Sequence, residues 1–324
     1  MANKVEDALV SICIPCYNHE KFICDCLESL INQTYQNIEL LICDDCSKDR
    51  SWEIIEEYEH KLRERFNHIV LLKNKVNKGV TGTLNRLVSR CAGTYIKTIA
   101  SDDFLDPKYT EVMVRKMERD KKIGVLFCNG IYVKEESTYS NPISLTPFFK
   151  TPVQINNENI DKRLFESCFI FAPGVILRKE VYDKCGLYNE EIEIEDWEYW
   201  LRIACSKKFK FAYLDEILVY YRKNENAMTS RVGTQAERRL MKMYNAEKKI
   251  IELYAGRMGS EVGAKRKIWH IIYGERVAYK FNFQNHLKTI KEDYDNFEEW
   301  EYLPSKDRMI CKVRHFFRCM SKFI

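Results

Sequence analysis

No stretch of this sequence is both long and apolar enough to cross a bilayer: the longest uncharged apolar run, Ser167 to Leu177, has eleven residues and contains Pro173. No secretory leader is expected either, since "MANKVEDALV" has acids where a basic region and an apolar core belong. Repeats and low-complexity tracts are absent, which excludes solenoid and fibrous classes. No G-x-G-x-x-G follows the first apolar run, so a nicotinamide or flavin fingerprint is lacking too. Cysteine, by contrast, is plentiful. Thirteen are scattered through apolar runs with no leader ahead of them, the pattern of reduced, buried thiols in a cytoplasmic protein. Cys13-x-x-Cys16 and Cys43-x-x-Cys46 have zinc-like spacing, but Cys13 and Cys43 fall where branched apolar residues usually sit in a strand, so they are read as core thiols.

The 324 residues, 45% hydrophobic and 13% aromatic, suit one large globular domain with an appendage. Net charge is +4, unevenly spread. From Thr234 onward there are 19 Lys+Arg against 12 Asp+Glu, whereas the preceding residues hold 33 against 36. A basic surplus confined to the C-terminal part argues against nucleic acid as a partner, whose footprint belongs on the main domain.

Over the first 130 residues the pattern alternates. "LVSICIP", "IELLICDD", "HIVLLKN", "YIKTIAS" and "GVLFCNGIYV" are continuous apolar runs of the kind parallel strands have when both faces are buried. Between them lie helical stripes: Phe22, Ile23, Leu27, Leu30 and Ile31; Ile55, Tyr58, Leu62 and Phe66; Val80, Leu84, Leu87 and Val88; and, after Pro107, Tyr109, Val112, Met113 and Met117. Strand and helix in turn predict an α/β fold, a doubly wound sheet with helices on both faces. In such sheets ligands bind beyond the carboxyl ends of the strands. There the sequence places Pro15-Cys16-Tyr17, Asp44-Asp45 and Ser101-Asp102-Asp103. Each aspartate alone could cap a turn. As a set, four carboxylates around one crevice point to a divalent cation bridging to an anionic ligand.

Residues 135–160 read as a polar loop over the crevice mouth. Pro173-Gly174 then breaks the chain before a short strand, and Glu195-Asp196 opens a helix with Trp197, Trp200, Leu201 and Ala204 on its apolar face. Acids at a helix start are favoured by the macrodipole, but a carboxylate beside two Trp is also partly desolvated, which raises its basicity. The C-terminal part is helical in pattern and ends in "RMICKVRHFFRCMSKFI", with five Lys+Arg and no acid. Met309, Val313, Phe316, Phe317, Met320 and Ile324 make an apolar stripe suited either to an anionic membrane surface or to packing on the domain or a second subunit.

The segments "VSICIPCYNHEKFICDCLESLINQTYQNIELLICDDCSKDRSWEII", "NKGVTGTLNRLVSRCAGTYIKTIASDD" and "GVILRKEVYDKCGLYNEEIEIEDWEYWLRI", in this order, resemble family 2 of the inverting, nucleotide-sugar-dependent glycosyltransferases with the GT-A fold. The resemblance covers about residues 8–225 and implies a mostly parallel sheet flanked by helices. It implies a catalytic domain over residues 1–230 and a helical C-terminal region over 231–324. It further implies that Pro15, Tyr17 and Asp45, beside Asp44, hold the nucleotide base, and that Lys78-Gly79 borders it. Asp103 with Asp102 would bind Mg or Mn and the donor diphosphate, and Asp196 would be the catalytic base. The implied activity is inverting hexosyl transfer from a nucleotide sugar, most often a UDP-sugar, to a lipid-linked or protein-linked saccharide of a bacterial surface glycan. The implied place is the cytoplasm or the inner membrane face. Where many relatives carry a metal-proximal His after the Tyr-Arg pair, this sequence has Asn224, a poorer cation ligand. The competing class is a non-catalytic sugar-nucleotide-binding or scaffold subunit. A nucleotidyltransferase would need a Gly-rich basic signature that "PCYNHEKF" does not provide.

Overall fold

The computed structural model describes residues 8–223, 235–281 and 283–320, with backbone alone for 279 and 313–320. The chain divides into two compact units. The first contains residues up to 161 together with 169–190 and from 195 on through the end of the sheet; the second contains 162–168, 191–194 and the C-terminal helices.

In the first unit the apolar runs form β1 (Val10–Cys16), β2 (Ile38–Asp44), β3 (His68–Lys73) and β4 (Tyr95–Thr98), joined by α1 (Ile23–Ile31), α2 (Ser51–Arg65) and α3 (Gly79–Val88). A two-residue β5 (Phe104–Leu105), α4 (Tyr109–Arg119) and the long β6 (Ile123–Val133) follow. Next come β7 (Ser144–Pro147), α5 (Ile160–Glu166), most of which belongs to the second unit, β8 (Val175–Arg178), α6 (Lys179–Cys185), α7 (Glu195–Ser206) and β9 (Lys210–Arg222). The nine strands make one sheet in the order β3-β2-β1-β4-β8-β6-β9-β5, with β7 on β6. β3, β2, β1 and β4 are mutually parallel, as continuous apolar runs require. β8 pairs antiparallel with both β4 and β6, and β5 and β7 are antiparallel too, so the sheet is mixed beyond β4. The stretch expected to be wholly loop therefore contains a strand, β7.

The apolar stripes turn inward as their spacing demands. Ile23, Leu27 and Leu30 of α1, Ile55 and Leu62 of α2, and Met113 and Met117 of α4 are almost fully buried against Ile12, Ile14, Leu40 and Ile42. Each such side chain contributes about 1.5–3 kcal/mol on burial. Pro173-Gly174 forms a 3₁₀ turn before β8, and there a Cβ on Gly174 would lie 2.6 Å from the Cys128 carbonyl oxygen, so the chain passes only as glycine.

The second unit is helical: α8 (Ala236–Met258), α9 (Ser260–Phe281), α10 (Gln284–Asp295) and α11 (Ser305–Met320). Its core gathers Tyr244, Ile268, Ile272, Ile290, Phe297 and Leu303. Most of the terminal apolar stripe, from Val313 onward, lies outside the described side chains, as does Asn224. Among the described residues no helix is long and apolar enough to cross a membrane.

Candidate active site

Three parallel strands end side by side, which brings most of the predicted site residues to one rim. The β1–β2 register sets Pro15 opposite Cys43 and Cys16 opposite Asp44, and Asp45 N donates to the Cys16 carbonyl at 2.7 Å. Pro15 is partly buried, whereas Tyr17 is 40% exposed, an aromatic face left open beside the strand ends.

The two aspartates after β2 do different work. Asp44 is fully buried, and both of its carboxylate oxygens accept from Ser47 N, at 3.0 and 3.1 Å. It closes the turn instead of facing the crevice, because a carboxylate three residues ahead of a free N–H makes that local bond at little entropic cost. Asp45 organises the neighbouring loop: its Oδ1 accepts from Asn74 Nδ2 at 2.7 Å and from Lys78 N at 2.8 Å. Lys78 and Gly79 are exposed, and Gly79 adopts φ +74, the left-handed turn that starts α3.

The acidic pair after β4 is also split. The Asp102 side chain retains 14% exposure, with His19 Nδ1 4.0 Å from its Oδ1. His19 Nδ1 and Ser101 Oγ are hydrogen-bonded at 2.7 Å, which ties the loop after β1 to the loop after β4. Asp103 is 1% exposed. Its Oδ1 accepts from Arg222 N at 2.9 Å, but its Oδ2 is buried without a hydrogen-bond partner. Burial, reinforced by the charge of Asp102, pushes the Asp103 carboxyl well above the usual carboxylate range.

Two buried cations partly offset that charge. Lys97, inside β4, donates to the Pro173 carbonyl oxygen and lies 3.3 Å from that of Val175 and 4.7 Å from the Tyr109 ring centre; burial pulls its ammonium down to about 8. Arg222, at the end of β9, donates Nε to the Asp102 carbonyl at 2.9 Å and Nη2 to Asp25 Oδ2 at 2.9 Å. Its Nη1 serves the carbonyls of Glu135, at 2.7 Å, and Ser137. Neither role was visible beforehand. For Lys97 the signal was a charge inside an apolar run; for Arg222 it was only the "YYRK" motif.

Asp196 stands in the first turn of α7. Its Oδ1 accepts from Trp197 N at 2.6 Å, and burial raises both its pKa and that of Glu195, the latter pushed up to about 8 with the Asp196 charge as second cause. Burial, and with it the charge of Glu195, raises the Tyr188 phenol above its usual range. Asn85 of α3 fixes the preceding loop: Tyr188 N donates to its Oδ1 at 2.9 Å, and its Nδ2 donates to the Tyr188 carbonyl at 3.0 Å and to Glu190 Oε1 at 2.9 Å. Asn85, Glu190 and His19 join the site without having been foreseen.

Of the paired cysteines, Cys13, Cys16 and Cys43 are buried in the strands, where core thiols are expected. Cys13 Sγ lies 3.3 Å from Cys91 Sγ, and burial pushes the thiols of Cys16 and Cys43 up to about 12 and about 11, away from the thiolate form metals need. No group of three or more His, Cys, Asp or Glu side chains able to hold a metal occurs among the described residues.

Residues 11–186 match the family described as Glycosyl transferase family 2. The chain is 32% identical over 225 residues to the Escherichia coli UDP-Glc:alpha-D-GlcNAc-diphosphoundecaprenol beta-1,3-glucosyltransferase WfaP, covering 68% of this chain and 80% of that one. It is 26% identical over 238 residues to an uncharacterized glycosyltransferase of Methanocaldococcus jannaschii, covering 72% of this chain and 78% of the relative. Among solved structures, residues 1–349 of Staphylococcus aureus TarS superpose with a TM-score of 0.56 at 17% identity, over 90% of this chain and 92% of that one. The mannosyltransferase PcManGT of Pyrobaculum calidifontis gives 0.56 at 13% identity, over 78% and 65%. These likenesses show the GT-A fold, and the match over more than half of the chain shows the family: the protein belongs to glycosyl transferase family 2.

Proposed function

We propose that the chain is a metal-dependent, inverting glycosyltransferase that moves one sugar from a nucleotide sugar, a UDP-sugar, to a hydroxyl of a lipid-linked saccharide. The observation that carries the reading is the buried Oδ2 of Asp103, a carboxylate oxygen with no donor, adjoining the mostly buried Asp102. Hard oxygen ligands of this kind fit Mg or Mn, and an orphaned one is the atom such a cation would satisfy. Asp103 and Asp102 would hold it. When bound, it would neutralise charge on the departing diphosphate.

The remaining roles fall to the chain's own groups. Tyr17 offers its ring to the base. Asp45, with Oδ1 committed to Asn74 and Lys78, keeps Oδ2 for an imide N–H. As the acceptor oxygen bonds to the anomeric carbon, the diphosphate leaves with the electron pair of the old bond, and the hydroxyl proton passes to the Asp196 carboxylate. Attack from the face opposite the leaving group inverts the anomeric centre. The acceptor and donor classes follow the printed name of the Escherichia coli relative, which acts from UDP-Glc on a diphosphoundecaprenol-linked sugar. PcManGT, solved with GDP-Man and Mn²⁺, is consistent with cation use.

Calorimetry of UDP binding tests the reading. Affinity should require Mg or Mn, and Asp103→Asn, which keeps the acceptor for Arg222 N, should abolish that requirement while leaving weak residual binding. UDP binding that is equally tight in chelator would overturn the cation bridge.

A further inference from the structure

The opposite rim of the same sheet carries the opposite charge. β6 runs parallel to β9 and antiparallel to β8, which is itself antiparallel to β4. The amino ends of β6 and β9 therefore lie at the rim away from the carboxyl ends of β1, β2 and β4. There an open cavity of about 470 Å³ is walled by Lys121, Lys122, Lys184, Lys207, Lys208 and Lys210.

The frame of this cavity is fixed by the backbone. Lys210 N donates to the Lys122 carbonyl at 2.9 Å, and Asn157 brackets Phe211, accepting from its N at 2.7 Å and donating to its O at 3.1 Å. Lys207 ends α7 in the left-handed region, φ +56, with its N on the Ala204 carbonyl at 3.2 Å, and Lys208 N is held by Ser206 Oγ at 3.2 Å. Four of the lysines have a carboxylate of their own: Lys121 with Glu118, Lys184 with Glu180, Lys207 with Asp161 at 2.7 Å, and Lys210 with Asp120 at 3.3 Å. Lys122 and Lys208 have no ion-pair partner among the described residues. With Glu180 also on the wall and the Asp120 charge acting on Lys122, the cavity still has more ammoniums than carboxylates, and Phe209 supplies an apolar wall. Clustered like charges repel, and an anion held among them relieves the repulsion. Lysine, a compact point charge with three donors, suits phosphate oxygens.

We propose that this cavity is a phosphate-binding site, separate from the donor rim, occupied by the phosphate of a phospholipid headgroup or of a soluble phosphoester. The test compares the parent with the Lys122→Gln/Lys208→Gln variant, with chelator present and at about 50 mM salt, where exposed charges are weakly screened. Inorganic pyrophosphate binding is measured by calorimetry, and co-sedimentation is measured with phosphatidylglycerol and phosphatidylcholine vesicles. The variant should bind pyrophosphate roughly fivefold or more weakly, as loss of two phosphate contacts implies, and should keep its UDP affinity in Mn, which reports an intact fold. If the parent also sediments with phosphatidylglycerol but not phosphatidylcholine, and the variant does not, the source is a headgroup. If the parent binds pyrophosphate and no vesicle, the source is soluble. Equal pyrophosphate binding by parent and variant, or none by the parent, overturns the site.

Discussion

Two carboxyls next to each other at the start of α7 do not titrate alike. Glu195 is raised by burial and by the Asp196 charge, whereas Asp196 is raised by burial but relieved by Trp197 N–H. Of the two, Asp196 has the further N–H donor of Trp197, which favours its charged form as a general base would need. Asp196→Asn keeps the shape and removes the basic oxygen. Transfer should fall on the order of a hundredfold or more with metal-dependent UDP affinity nearly unchanged, and Glu195→Gln should be milder. A transfer rate within a few-fold of the parent would falsify the assignment. The acid limb of kcat/KM should lie above the ordinary aspartate value of about 4, because the folded pKa is raised and activity appears only as pH rises through it. A pH–rate profile checks this, and a limb at the ordinary value would show that Asp196 is not the group being read.

At the scale of elements, one side chain joins four parts of the sheet unit. Arg222 of β9 binds the Asp102 carbonyl, Asp25 of α1, and the carbonyls of Glu135 and Ser137 that follow β6. Arg222→Ala removes a buried ion pair and orphans three acceptors, so urea unfolding should show a loss of roughly 3–5 kcal/mol. A loss under about 1 kcal/mol would mean that water replaces the guanidinium. The same element shows what a sequence discloses. β1, β2, β4 and β6 were legible because strands buried on both faces are continuous apolar runs, and β3 carries such a run although it is a half-buried edge strand. β9, "KFAYLDEILVYYR", mixes exposed acids with buried aliphatics, so its period is broken, and β5 has only two residues. The antiparallel entry of β8 depends on which strands flank it, information a local pattern does not carry. Tyr17, Asp103 and Asp196 were singled out by the ordered motifs, and their roles belong to the proposed function. His19, Asn85 and Arg222 were not singled out, since their bonds reach partners 82, 103 and 119 positions away.

Across the whole molecule, the helical unit has a titration of its own. His286 is 2% exposed, neither ring nitrogen has a hydrogen-bond partner, and its ring meets Tyr244 edge-on at 5.2 Å. Burial lowers its pKa below 6.5; Glu237 opposes the shift and His270 adds to it. The unfolded chain therefore binds this proton more readily, and stability is lost as pH falls from about 6.5 down through the folded value. Thermal melts should show this decline for the helical unit, and His286→Phe should flatten it; an unchanged slope would place the titration elsewhere. The bonds of Arg222 have a last consequence, for synthesis on the ribosome. Its backbone N–H is the donor to Asp103 and its guanidinium the partner of Asp25, 119 and 197 residues earlier in the chain. Nascent chains emerge at about 5–20 residues per second. The acidic rim thus waits on the order of ten seconds for the residue that completes it, and a chain arrested before position 222 carries every predicted site residue yet lacks the clamp that holds the acidic pair.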